Sequence, residues 1–156
     1  MMHDSDYRKQ LNAHGRDVIR SCLNIVEQHG DTYVAIHRDD DTECIILVSL
    51  LRSYPLLSII VADRLLLAER NDPQILCALN SMNADSVTGW HCVFLENDSV
   101  IYMYRQCVWL SMDLTYDDLL WLLKECISDY KDGKSRIITD GAPADHAEEP
   151  PERINS

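Results

Sequence analysis

Apolar and polar residues follow two periods along this chain, and the places where one period gives way to the other mark its elements. The clearest block lies at 87–130. Val87-Thr88-Gly89-Trp90-His91-Cys92-Val93-Phe94-Leu95 is β-branched and aromatic, and 99–104 repeats that character after the polar turn Glu96-Asn97-Asp98. Two such runs joined by a few turn-forming residues predict a hairpin. A further apolar run follows at 106–112, with Trp109 near its centre. Thr115 then offers an N-cap oxygen with Asp118 three residues on, and Leu114 and Leu119 have the spacing of a hydrophobic staple. The helix that begins there carries Leu119, Leu120, Leu122, Leu123, Cys126, Ile127 and Tyr130 on one wide stripe, with Trp121 on the polar side.

The earlier half reads in the same way. Helical spacing of Leu11, His14, Gly15, Val18, Ile19, Cys22, Leu23, Ile25 and Val26 predicts a first helix over 7–29, closed by Gly30 as a left-handed cap. A strand at 32–38 is followed by the turn Asp39-Asp40-Asp41, and strands at 42–51 and 56–62 flank Arg52-Ser53-Tyr54-Pro55. Both of these strands are apolar at odd and at even positions. A sheet with one wet face alternates apolar with polar residues. Both faces here call for cover, from helices on each side or from another chain. Residues 63–71 either extend the third strand or begin a turn of helix. Asp72-Pro73 then reads as an N-cap and first helical position of a helix reaching about residue 83. Beyond residue 131 the periodicity fades among Gly133, Gly141, Pro143, Pro150 and Pro151, which predicts a single domain over 1–131 and a disordered acidic tail over 132–156.

Charge narrows the function classes. Fourteen basic against 26 acidic residues leave −12 at pH 7, a balance that repels phosphate backbones and disfavours nucleic acid. The densest basic stretches, Tyr7-Arg8-Lys9 and 131–136, are mixed with acids. Acidity also suits a protein that keeps an exposed apolar surface in solution. No apolar run is long enough to cross a bilayer. The start Met1-Met2-His3-Asp4-Ser5-Asp6 is polar and acidic, unlike a secretory signal. Six cysteines, spread one per element without a C-x-x-C pair, read as small buried hydrophobes in a reducing cytosol.

Candidate chemistry is sparse. Phosphate-binding loops and nucleophile elbows depend on glycines for close backbone approach, and none of their motifs occurs among only five glycines. The three consecutive acids at 39–41 fit a solvated turn better than a hard-cation site, which needs oxygens converging from several positions. A zinc site assembled from His37, Cys44, His91, Cys92 and Cys107 would lack knuckle spacing. His91 and Cys92 are neighbours on a strand, so their side chains leave on opposite faces and form no dyad.

The order helix, three strands, helix, two or three strands, helix resembles the type III secretion chaperone-like fold, and within it the YbjN-like family. The residues that carry the resemblance are Leu76-Cys77-Ala78-Leu79-Asn80-Ser81-Met82-Asn83, Gly89-Trp90-His91-Cys92-Val93-Phe94-Leu95, Val100-Ile101-Tyr102-Met103-Tyr104-Arg105 and Leu114-Thr115-Tyr116-Asp117-Asp118-Leu119. The resemblance implies an α+β fold, an antiparallel sheet flanked by helices. It also implies a non-enzymatic cytosolic module that binds protein, chaperone-like or regulatory, acting as a homodimer without a cofactor. The acidic, proline-containing end and the cysteine count depart from the secretion chaperones. The surface residues expected to meet a partner or a second copy are Trp121, Trp109, Trp90, Tyr54 and Leu47. The competing expectation is a small-molecule sensor with an apolar pocket lined by His91, Tyr102, Tyr104, Arg105 and Trp109.

Overall fold

A computed structural model describes residues 4–67 and 69–141. It is an α+β fold in which three helices accompany one six-stranded antiparallel sheet. The elements are α1 (Asp4–Cys22), β1 (Ile25–His29), β2 (Thr32–Arg38), β3 (Glu43–Leu50), β4 (Leu56–Leu66), α2 (Asp72–Asp85), β5 (Trp90–Leu95), β6 (Ser99–Trp109) and α3 (Tyr116–Asp140). Across the sheet the order is β1-β2-β3-β4-β6-β5. The first four strands form a meander. The chain then crosses through α2, and the β5–β6 hairpin returns with β6 against β4 over its whole length, Leu56 opposite Trp109 and Leu66 opposite Ser99.

The expected first helix over 7–29 is two elements. Helix α1 ends at Cys22, and Ile25-Val26-Glu27-Gln28-His29 is an edge strand paired with β2. Ile25 and Val26 fit a helical stripe by spacing, but their β-branched side chains suit a strand better. The deciding partner is the non-local ladder with β2. Gly30 has positive φ (59°), although it lies in the two-residue β1–β2 turn and not on a helix end. A positive φ at the first central residue, followed by a negative one at Asp31, is the sign pattern of a type II′ hairpin turn.

Three other boundaries move. Leu65 and Leu66 extend β4. Asn71, not Asp72, caps α2, its side-chain oxygen accepting from the Gln74 amide at 3.2 Å, which puts Pro73 at the second helical position. The runs at 99–104 and 106–112 are one strand, β6, because Arg105 and Gln106 continue the ladder. The capping box at Thr115 forms as the residues predict. Thr115 Oγ1 accepts from the Asp118 amide at 3.2 Å, and Asp118 accepts from the Thr115 amide at 3.0 Å.

Helix α3 runs to Asp140, well past the predicted domain end at 131. Its buried positions Cys126, Tyr130, Gly133 and Ile137 keep the helical interval of three and four. A glycine and a charged run at 131–136 hide that interval in the sequence, since glycine in a helix costs roughly 1 kcal/mol against alanine. Here the glycine is required: a Cβ on Gly133 would lie 1.8 Å from the Tyr102 hydroxyl. The end of α3 is tied to the start of α2 by the Asn71 amide donating to the Gly141 carbonyl at 2.8 Å. The remainder of the predicted tail, 142–156, lies outside the described residues.

Helices α1 and α3 lie across one face of the sheet, with α2 beside α3 against β5. Gly15 of α1 meets Leu50 and Leu110, and Cys126 of α3 donates to Gln106 at 3.5 Å. The core between the layers is rich in tyrosine: Tyr33, Tyr102 and Tyr130 are wholly buried, packed among Ile19, Val48, Leu57, Ile59, Val61 and Leu119. Among the described residues, no helix is long and apolar enough to cross a membrane.

Candidate functional site

Cross-strand partners share a face of a sheet, so the register sorts every strand residue to one layer or the other. The face turned away from the helices carries two nearly unbroken apolar rows. One runs Val34, Leu47, Ile60, Arg105, Trp90 and the next Ile36, Ile45, Ala62, Met103, Cys92. Ile101 with Phe94 and Leu56 with Trp109 extend the surface at its two ends. Ile36, Ile45, Trp90, Phe94 and Trp109 are exposed, Trp109 to 70%. Five strands about 4.8 Å apart, with same-face residues about 7 Å apart along each strand, give an apolar area of roughly 400 Å² in projection. That lies within the range of the largest apolar patch on a typical monomer, which is often a functional surface.

The polar groups on this face are matched. Arg105 at the centre donates from Nε to the Ser58 hydroxyl at 3.1 Å, and its guanidinium lies 5.3 Å from the centre of the Trp90 ring. Thr32 and Ser49 share a hydrogen bond of 2.9 Å. At the margin Arg38 pairs with Glu43 at 2.7 Å and Arg64 with Glu96 at 3.1 Å. Glu27 and His29, on the edge strand, pair at 2.6 Å. Arg38, Arg64 and Arg105 thus balance Glu27, Glu43 and Glu96 on this face.

Of the five residues expected at a partner surface, Leu47, Trp90 and Trp109 share this face, Leu47 half-buried near its middle. Tyr54 is exposed in the β3–β4 loop, beside Pro55, whose carbonyl accepts from the Leu110 amide at 2.8 Å. Trp121 is 61% exposed on α3, two positions from buried Leu119 and Leu123, and so belongs to the helical layer. Val34, Ile36, Met103 and Phe94 escaped the sequence reading. Their signal was the apolar character of both faces of β3 and β4, but only the register shows which residues continue it on β2, β5 and β6.

The groups expected to line a small-molecule pocket divide between layers. His91, Tyr102 and Tyr104 face the helices, whereas Arg105 and Trp109 face the open side. His91 is held on all sides. Asn83 of α2 mimics a neighbouring strand, accepting from the His91 amide at 2.7 Å and donating to its carbonyl at 2.9 Å. The ring shares a 2.7 Å hydrogen bond between Nδ1 and the Tyr102 hydroxyl, stacks on Tyr102, and meets Tyr104 at a tilt. Burial holds the imidazole below its ordinary pKa, the Asp129 carboxylate opposing and Arg136 assisting. Burial likewise pushes the Tyr104 phenol up to about 12. His91 and Tyr104 open into a cleft of about 350 Å³ between α2, β5–β6 and α3, whose walls also carry Asp85, Thr88, Asp129, Asp132 and Arg136. The lining is polar, unlike the apolar pocket expected.

The residues weighed for zinc are also separated. His37 and Cys44 are register partners near the β2–β3 turn, while Cys92 and Cys107 face the open side. Among the described residues no three His, Cys, Asp or Glu side chains converge to hold a metal ion. The thiols differ from the uniform burial expected: Cys44 and Cys126 are buried, their pKa values raised by desolvation to about 11 and about 12, whereas Cys77 is exposed. Asp39 organises its turn, accepting from the amides of Asp41 at 3.0 Å and Thr42 at 2.8 Å, from His37, and from Lys131 of α3, which together hold its carboxylate well below the usual range.

No family model and no curated protein matches this chain. Among solved structures it is similar to the crystal structure of YbjN, a proposed transcription regulator from E. coli, at 13% identity and a TM-score of 0.46, over 87% of this chain and 89% of that one.

Proposed function

We propose that this chain is a non-enzymatic protein-binding module, regulatory or chaperone-like, that forms a homodimer through the helix-free face of its sheet. The observation that carries this reading is the pair of apolar rows centred on Leu47, Ile60 and Met103, left without a covering layer in the described residues. A two-layer domain with one such face gains by covering it, since apolar area removed from water contributes roughly 25 cal/mol per Å². The charge balance of the face favours a second copy as the cover. Each chain carries −12 in all, yet the surfaces brought together would present equal numbers of arginines and glutamates. Trp90 under the Arg105 guanidinium supplies the aromatic–arginine pair that recurs at the centre of protein interfaces. A cytosolic setting fits six thiols of which none is paired.

The test is the solution mass of the full chain by light scattering over a hundredfold concentration range, beside Leu47→Glu. A dimer that Leu47→Glu converts to monomer supports the reading. A wild-type chain that stays monomeric throughout, or a dimer indifferent to the substitution, overturns it.

A further inference from the structure

We infer that the free edge of β2 and the apolar groove beside it are covered by the chain's own residues 152–155, added as a short extended strand. The groove opens at the rim of the sheet toward the helices, and the inference does not rest on the proposed dimer.

Strand β1 is shorter than its neighbour. It pairs with β2 only as far as Ile25 opposite Ala35, since the residues before it belong to the turn from α1. Ile36, His37 and Arg38 therefore have β3 on one side and no strand among the described residues on the other. The Asp39 amide donates to the Thr42 carbonyl at 2.9 Å, which fixes the alternation of the β2–β3 ladder. Asp39 and His37 bond toward β3, so Ile36 and Arg38 turn their N–H and C=O groups to the vacant side. A bare edge of this kind is a template for another strand.

Beside that edge, the space between the end of α1 and α3 is a groove of about 250 Å³, lined by Leu23, Ala35, Ile46, Leu120, Leu123 and Ile127. Lys124 also lines it. The other three lysines of the chain are paired, Lys9 with Asp6, Lys131 with Asp39 and Lys134 with Asp63. Lys124 has no carboxylate partner among the described residues. The fitting occupant has an extended backbone, one branched aliphatic side chain and a carboxylate close to it.

Residues 142–156 supply that combination once. Ile154 is their one large apolar residue, and Glu152 precedes it by two positions. Side chains two apart on a strand leave on the same face, so Ile154 entering the groove brings Glu152 to the side of Lys124. Pro150 and Pro151 hold the residues before them extended and suit the start of a strand. The reach is sufficient. Ile127 lies 14 positions before Gly141, about 21 Å along α3 at 1.5 Å per residue. The 13 positions from Gly141 to Ile154 span up to about 43 Å when extended. Tethering favours this occupant over a second copy or a foreign peptide, because a short linker gives an effective concentration on the order of millimolar.

The experiment is amide hydrogen exchange of the full chain, resolved by residue, with wild type beside Ile154→Asp. Protection of the Ile36 and Arg38 amides is expected in the wild type. It should fall at least tenfold in Ile154→Asp, while the amides of β4 keep theirs. Glu152→Lys should lower the same protection, and adding Lys124→Glu should restore it. In a separate variant, Ile154→Cys under oxidised glutathione should form a disulfide within one chain to Cys22, which lines the groove. A disulfide to the exposed Cys77 instead overturns the inference. So does one formed between chains, which gives the groove to a second copy. Equal exchange at Ile36 and Arg38 in wild type and Ile154→Asp, or no restoration in the double variant, overturns it as well.

Discussion

Gly133 of α3 and Tyr102 of β6 meet so closely that a methyl group on the glycine would lie 1.8 Å from the tyrosine oxygen and 3.0 Å from His91 Nδ1. Tyr102 is wholly buried, stacked on Tyr130 on one side and hydrogen-bonded to His91 on another. It has no room to withdraw. In an open helix glycine to alanine adds stability, but here overpacking reverses the sign. Gly133→Ala is expected to destabilise the fold by about 1–3 kcal/mol, read as a lower urea midpoint. A gain in stability would show that α3 does not approach β6 at this point.

The exposed tryptophan of α3 should behave differently from those of the sheet face. Trp121→Ala removes a ring that is 61% exposed on the helical layer, so its effect on stability is expected within about 0.5 kcal/mol. If the sheet face forms the dimer, the solution mass of Trp121→Ala stays that of wild type. A loss of self-association in this variant would move the interface to α3.

Leu47→Glu places an unpaired carboxylate in the middle of the apolar rows, between Val34 and Ile60. In a face-to-face dimer that charge is desolvated, and the dissociation constant is expected to rise by about 100-fold or more. Ile45→Lys, at a more exposed position of the same strand, should act alike while leaving the monomer's far-ultraviolet dichroism unchanged. Light scattering of both variants checks the expectation.

Acid should weaken the fold in two steps. The folded state holds His91 below its ordinary value of 6.5. Above pH 6.5 the imidazole is neutral in folded and unfolded chains alike, and it makes no difference. As pH falls below that value the unfolded chain takes up the proton first, so stability declines through the folded-state value. Asp118 and Asp39 are held below their ordinary 3.8 by hydrogen bonds from Thr115 and by Lys131 and His37, respectively. What they contribute is present above 3.8 and is lost only as pH falls further. Urea midpoints at pH 7.5, 6.5 and 5.5 should fall at the last, and His91→Gln should flatten that fall.

Thr115→Ala removes the hydroxyl that accepts from the Asp118 amide and donates to the Asp118 carboxylate at 2.8 Å, leaving only the bond from the residue-115 amide to that carboxylate. A loss of about 1 kcal/mol is expected, measured by urea denaturation. Hydrogen exchange should be faster in the first turn of α3 than near Tyr130.

Local chemistry was legible in the residues themselves. The Thr115–Asp118 cap, the hairpin around Glu96-Asn97-Asp98 and the acidic turn at Asp39 depend on groups a few positions apart, and the sequence alone determines them. So is the α+β order, whose periods of two and near four survive in any environment. The apolar character of β3 and β4 on both sides also stated a requirement for cover. What met that requirement was a tertiary matter. Ile25 and Val26 suit a helix stripe or a strand, and only the ladder to β2 selects the strand. Gly133 reads as a helix breaker until Tyr102 comes within reach of it. Leu47, Trp90 and Trp109 share a face with Ile60 and Met103, while Trp121 does not, because register pairs residues far apart in the chain and all that α1 and α3 can cover is one side of one sheet. Cross-strand register and the side on which helices pack are long-range choices, made by the total area buried and not by any residue's own preference.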